Sequence, residues 1–225
     1  MLTFARREPS ATLLAAQLVS LLIYPFLENG DGARALVSLI GIALLSLVVF
    51  AVRSSPGLTW IGIALGTPAV VLLVIQAITR SDTLLPDSSA FEALLYFYAA
   101  GALIAYMLAD HVITRDELYA VGATLTLVAW AFAYTYIVCQ AIEPHSFGGQ
   151  RSWMELLFLS FTTVTSTGLS DITPVEPFAR SLNMIEQVAG VAYIAMVVSR
   201  LVGLLVRSPG PRGGPGDRST PTDSS

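Results

Sequence analysis

The stretch with chemistry to offer is Thr163-Val164-Thr165-Ser166-Thr167-Gly168-Leu169-Ser170-Asp171. It follows an apolar run, Trp153–Val164, of only about a dozen residues, too short to cross a bilayer, and it precedes a long apolar span. Backbone that is neither helix nor barrel survives at membrane depth only where it is buried in protein or lines water. A short helix that gives way to Thr, Ser and Gly and returns through Asp171-Ile172-Thr173-Pro174 answers to that case, as a re-entrant segment. The alternative is the end of a buried helix whose small residues permit close packing.

A second candidate is Glu186, inside the last span, because an ionisable residue within a span is a functional hypothesis by default. The competing reading is a carboxyl satisfied by the short helix Trp153–Val164. Around it Asn183, Glu186, Gln187, Gly190, Ile194, Val198 and Leu201 recur at helical spacing and mark one stripe. Gly190 reads equally as a hinge or as a point of close packing, and Arg200 as a cation reaching the headgroups. His111 and His145 stand in loops without paired ligand spacing, and the single cysteine, Cys139, excludes an intrachain disulfide and a Cys-based metal cluster. Cys139 is expected in the core. No Ser/His/Asp, metal or Gly-rich phosphate constellation appears, so the chain is expected to be no enzyme and to need no cofactor.

These residues must be positioned by membrane helices. Of 225 residues 54% are hydrophobic and 12% charged, with positive mean hydropathy, against about a quarter charged in soluble domains. The net charge is −4 and every cation is Arg, so no basic face for nucleic acid exists. Arg6 and Arg7 precede an apolar run that ends at Tyr24-Pro25-Phe26 without a convincing cleavage site, which favours an uncleaved first span. Spans of about twenty apolar residues are expected at Ala11–Leu27, Ala35–Val52, Leu58–Ile78, Ser89–Ala109 and Leu118–Ala141, with a kink at Pro68. The polar turn Glu143–Gly149 leads to Ser152-Trp153-Met154-Glu155, a capping box that opens the short helix. The last span is Ala179–Val206, and the Gly/Pro/Ser-rich residues beyond it read as a disordered tail.

The frame Thr165-Ser166-Thr167-Gly168-Leu169-Ser170-Asp171 resembles the filter of the tetrameric potassium-channel superfamily, Thr-Thr-Val-Gly-Tyr-Gly-Asp. Phe158–Thr163 looks like the end of the family's pore helix, and Asp171-Ile172-Thr173-Pro174 with Phe178–Leu182 looks like the outer mouth and inner-helix start of bacterial members; residues 150–206 carry the resemblance. It implies a homotetramer whose four loops aim carbonyl oxygens and a hydroxyl at a dehydrated cation. Thr165, Ser166, Thr167, Gly168, Leu169 and Ser170 are then the filter, Asp171 and Glu186 its support, and Gly190, Ile194 and Val198 gating or pore-lining positions. Leu169 lacks the phenol that ties the family's filter to neighbouring pore helices. Ser170 stands where Gly takes positive φ at little cost, a conformation that costs a residue with a β-carbon about 1–2 kcal/mol. A reshaped outer filter and a reduced preference for potassium over sodium are expected.

The expected fold is an all-α integral membrane protein of six transmembrane helices plus a re-entrant pore helix and selectivity filter. Residues 1–110 form a four-span peripheral bundle, 111–207 the pore domain and 208–225 the cytoplasmic tail, with no soluble ligand-sensing domain. The fourth span carries no Arg or Lys, which argues against voltage sensing there. Seven arginines against four place both termini in the cytoplasm of a plasma-membrane protein. The function read from this is a passive cation channel conducting potassium, with sodium as competitor. A secondary transporter and a non-conducting channel-like scaffold are the alternatives; no second copy of the loop, usual in the former, is found.

Overall fold

The computed structural model describes residues 9–27, 59–79, 85–109 and 114–207; the expected span Ala35–Val52, the N-terminal arginines and the 208–225 tail lie outside them. Among the described residues there are six helices and no strand: α1 (Pro9–Leu27), α2 (Thr59–Thr79), α3 (Leu85–Ala109), α4 (Arg115–Ile142), α5 (Trp153–Val164) and α6 (Pro177–Arg207). Of these, α3, α4 and α6 are long and apolar enough to cross a membrane, and α5 has the short span read from its composition. Helix α2 runs through Pro68.

Helix α4 is the centre of the packing. Its start is fixed by a capping box in which the Thr114 hydroxyl accepts from the Glu117 amide at 3.2 Å while the Glu117 carboxylate accepts from the Thr114 amide at 3.4 Å. Beside it, Asp116 accepts from the amide and the hydroxyl of Ser10 at 3.1 and 2.9 Å, so a carboxylate meets the first turn of α1, where the helix dipole favours negative charge. Helices α1 and α4 therefore start side by side. Helix α3 packs along α4 in the opposite direction, Phe97 edge-on to Phe132 and Met107 beside Ala120. Tyr96 stacks on Tyr134 at 5.6 Å and meets Trp130 edge-on at 5.7 Å, and Trp130 meets Trp153 of α5 edge-on at 5.5 Å. Such ring pairs contribute about 0.5–1.5 kcal/mol each beyond buried area, and they tie α3 to α4 and α4 to α5.

The turn between α4 and α5 is held by Gln140. Its side-chain oxygen accepts from the Arg151 amide at 2.7 Å and its nitrogen donates to the Arg151 carbonyl at 3.1 Å, a two-point clamp across the loop. Cys139 is buried as expected, its sulfur 3.6 Å from the Ser146 hydroxyl. Ser152 and Glu155 form the capping box that the sequence predicts for α5, at 3.3 and 2.7 Å. The Ser152 amide holds the Glu155 carboxyl below the usual carboxylate range.

Helix α6 buries a single stripe, Ala179, Glu186, Gly190 and Tyr193, against α4 and α5. The rest of its apolar surface stays uncovered, with Val188 70% and Val198 53% exposed.

Candidate functional site

The segment after α5 begins as a helix terminus. Thr165 is the C-cap, the Ser166 amide donates to the Thr163 carbonyl at 2.9 Å, and the Thr167 amide donates to the Thr162 carbonyl at 2.9 Å. That 5→2 and 6→1 pair is a Schellman motif, whose residue after the cap must be left-handed. Gly usually fills this place, but here it is Ser166, at φ 57°. The Gly168 amide also reaches the Thr162 carbonyl, at 3.0 Å, and Gly168 has φ 64°. Positive φ thus falls on alternate residues, 166 and 168.

The amides of Thr165 through Gly168 are therefore all spent on carbonyls of the last turn of α5. Their hydroxyls are partly spent there too: Thr165 donates to the Phe161 carbonyl at 2.6 Å, and Thr167 to the Thr162 carbonyl at 3.3 Å, the two hydroxyls lying 3.2 Å apart. The carbonyls of Thr165 through Ser170 accept no hydrogen bond from the described residues, and Ser166 through Leu169 are exposed. The arrangement satisfies the donors from α5 and leaves a run of acceptor oxygens without a partner among the described residues.

The alternation stops at Ser170, which does not take positive φ. Instead its hydroxyl accepts from the Ile172 amide at 3.1 Å, a Ser turn that redirects the chain. Leu169 is 77% exposed, and Asp171 is exposed as well. Beyond them Ile172 is buried, and the Val175 amide donates to the Ser146 carbonyl at 2.8 Å, tying the return segment to the α4–α5 turn.

Behind the segment lies a polar cluster in which Glu186, Tyr136 and Ser160 are fully buried. Glu186 takes hydrogen bonds with Tyr136 of α4 and Ser160 of α5. The Ser160 hydroxyl is also 2.8 Å from the Ala129 carbonyl. Asn183, one turn before Glu186, donates to the Tyr136 hydroxyl at 3.2 Å and to the Thr163 hydroxyl at 3.0 Å. Three helices therefore meet in hydrogen bonds at the end of α5. Gly190 belongs to the same contact: a β-carbon there would stand 2.1 Å from the Val164 carbonyl oxygen.

The stripe expected on α6 is thus divided. Asn183, Glu186 and Gly190 face α4 and α5, whereas Ile194 and Val198 lie on an uncovered face, 41% and 53% exposed. The reason is angular: Ile194 is one residue past the buried Tyr193, about 100° round the helix. Arg200, expected to reach the headgroups, instead pairs with Glu117 at 2.7 Å, because it shares the inward face with Tyr193 and meets the start of α4.

Sequence reasoning gave Ser160 and Tyr136 no role of their own, since a lone hydroxyl in an apolar helix carries no signal until its partner is known. It also passed over Glu92, buried in α3 with Tyr134 as hydrogen-bond partner. An acid within an apolar span was signal enough to find it. Among the described residues no group of His, Cys, Asp or Glu could hold a metal ion.

Residues 122–207 match a family model described as an ion channel. No curated protein matches the chain, and no solved structure does.

Proposed function

We propose that the chain is a passive cation channel of the potassium-channel superfamily whose filter is Thr165–Ser170, a reading supported by the match of residues 122–207 to an ion-channel family model. Four chains surround one axis, each contributing α4, the re-entrant α5, the filter and α6. The remaining spans form the periphery of a six-span, multi-pass subunit in the plasma membrane, with both termini cytoplasmic.

The observation that carries this reading is the division of polar groups in the 165–170 segment. Its amides from Thr165 to Gly168 are satisfied by the end of α5, while its carbonyls accept nothing within the described residues. At membrane depth such oxygens are tolerated only against protein or water, and a ring of carbonyls that replaces an ion's hydration shell uses them. The uncovered apolar face of α6 supports the closure of several copies around the segment.

Potassium is the favoured ion, and the preference over sodium is modest. Ser170 leaves the left-handed alternation and Leu169 supplies no cuff, so the inner positions Thr165, Ser166 and Thr167 hold the better-ordered sites. Flux from liposomes under potassium-only and sodium-only gradients tests both statements. Potassium flux that exceeds sodium flux, with sodium above the protein-free level, is the expected result. No flux of either ion from vesicles that contain the assembled protein would overturn the reading.

A further inference from the structure

We propose that Glu186 holds its proton and, as a neutral carboxyl, bridges α4 to α5, so that it is a positioning residue for the filter; this rests on the channel reading above.

The argument is a count of hydrogens. The Ser160 hydroxyl touches two acceptors at once, the Ala129 carbonyl at 2.8 Å and the Glu186 carboxyl. A hydroxyl has one hydrogen. If the carboxyl is ionised, that hydrogen serves one oxygen and the other is left lone pair to lone pair. With the hydrogen on Glu186 every donor finds a place. The acid donates to Ser160, Ser160 to Ala129, and Tyr136 to the second carboxyl oxygen. Asn183 then fills the lone pairs of Tyr136 and Thr163.

The surroundings agree. Tyr136 faces Glu186 from α4, Ser160 faces it from α5, and Cys139, further along α4, has its sulfur at Ser146. Among the described residues no cation pairs with it: the ion pairs there are Arg151 with Glu155 and Arg200 with Glu117. Glu186 is wholly buried, and a buried charge without a counter-charge is costly, whereas a hydrogen-bonded neutral group is not.

The link to the filter is direct. Ser160 and Thr163 sit on the last turns of α5, and the carbonyls of Phe161, Thr162 and Thr163 take the amides of residues 165–168. Holding α5 from behind holds the filter, and with Leu169 exposed there is no aromatic anchor in front.

The test compares E186Q and E186D in the full chain, reconstituted at neutral pH. Gln has the same length and supplies both a donor and an acceptor, so E186Q is expected to assemble and to keep the wild-type melting temperature and potassium-to-sodium permeability ratio. Asp cannot span both partners, and E186D is expected to lose stability and to shift the permeability ratio towards one. The infrared difference between wild type and E186Q should contain the C=O stretch of a protonated acid. Carboxylate bands alone in that difference, or an E186D closer to wild type than E186Q, would overturn the proposal. If no flux is found but the acid band and the order of melting temperatures hold, the channel reading falls and the protonated bridge stands.

Discussion

Gly190 on α6 and the carbonyl of Val164, the last residue of α5, are in backbone-to-backbone contact: the place of a β-carbon on Gly190 is 2.1 Å from that oxygen and 2.8 Å from the carbonyl carbon. Real β-carbons do not approach so closely, so α6 and the end of α5 share a position only Gly can hold. Gly190→Ala must push the two helices apart. Overpacking of this kind costs about 1–3 kcal/mol when side chains can yield, and here the obstacle is backbone. A clear fall in the melting temperature of the reconstituted protein is expected. An unchanged melting temperature with altered channel opening would instead assign Gly190 to hinge motion.

The proposed outer filter supplies the second expectation. Leu169→Tyr together with Ser170→Gly restores a phenol and a residue free to take positive φ, and removes the Ser hydroxyl that turns the chain at Ile172. The double variant should raise the potassium-to-sodium permeability ratio. Reversal potentials that do not move would mean that the wild-type outer segment already orders its sites.

Acid should loosen α5 through its cap. The carboxyl of Glu155 is held below its ordinary range, first by the Ser152 amide, so its contribution is present above the unfolded carboxylate value and is lost as pH falls through the lower folded value. Thermal unfolding of wild type and Glu155→Gln should differ at neutral pH and converge under acid. Ser152→Ala removes the reciprocal partner and is expected to cost about 1 kcal/mol at neutral pH. Parallel curves across the range would detach this cap from stability.

Arg200 and Glu117, with side chains only 17% and 6% exposed, form a pair whose loss strands a charge. Arg200→Ala is expected to destabilise by about 3 kcal/mol, and Arg200→Lys by less, since a single ammonium can still reach one oxygen. Equal effects of the two substitutions in chemical unfolding would contradict a charge-based role.

The local features were legible in the chain. Trp153–Val164 has both the bounds and the capping box read from Ser152 and Glu155, because such a box joins residues three apart. The buried network was not. Its bonds join positions 26 and 50 apart, Ser160 with Glu186 and Tyr136 with Glu186, and only the packing of three helices decides which hydroxyls meet. Periodicity gave the α6 stripe but not its division between Gly190 and Ile194, since the buried and the uncovered faces of α6 are both largely apolar. Arg200 misled for a related reason: the nearby acid, Glu117, lies 83 residues away in sequence.

The Schellman turn makes one residue answer to two demands. Ser166 both ends a helix in the left-handed region and presents the hydroxyl that the filter frame calls for. A survey of all side chains at this position would therefore not rank them by coordinating ability. Gly, Asn and Asp, which enter left-handed backbone most readily, should be tolerated ahead of Thr, the nearest chemical equivalent, whose branched β-carbon resists that conformation. At this point in the chain, backbone handedness and not oxygen chemistry sets what mutation can explore.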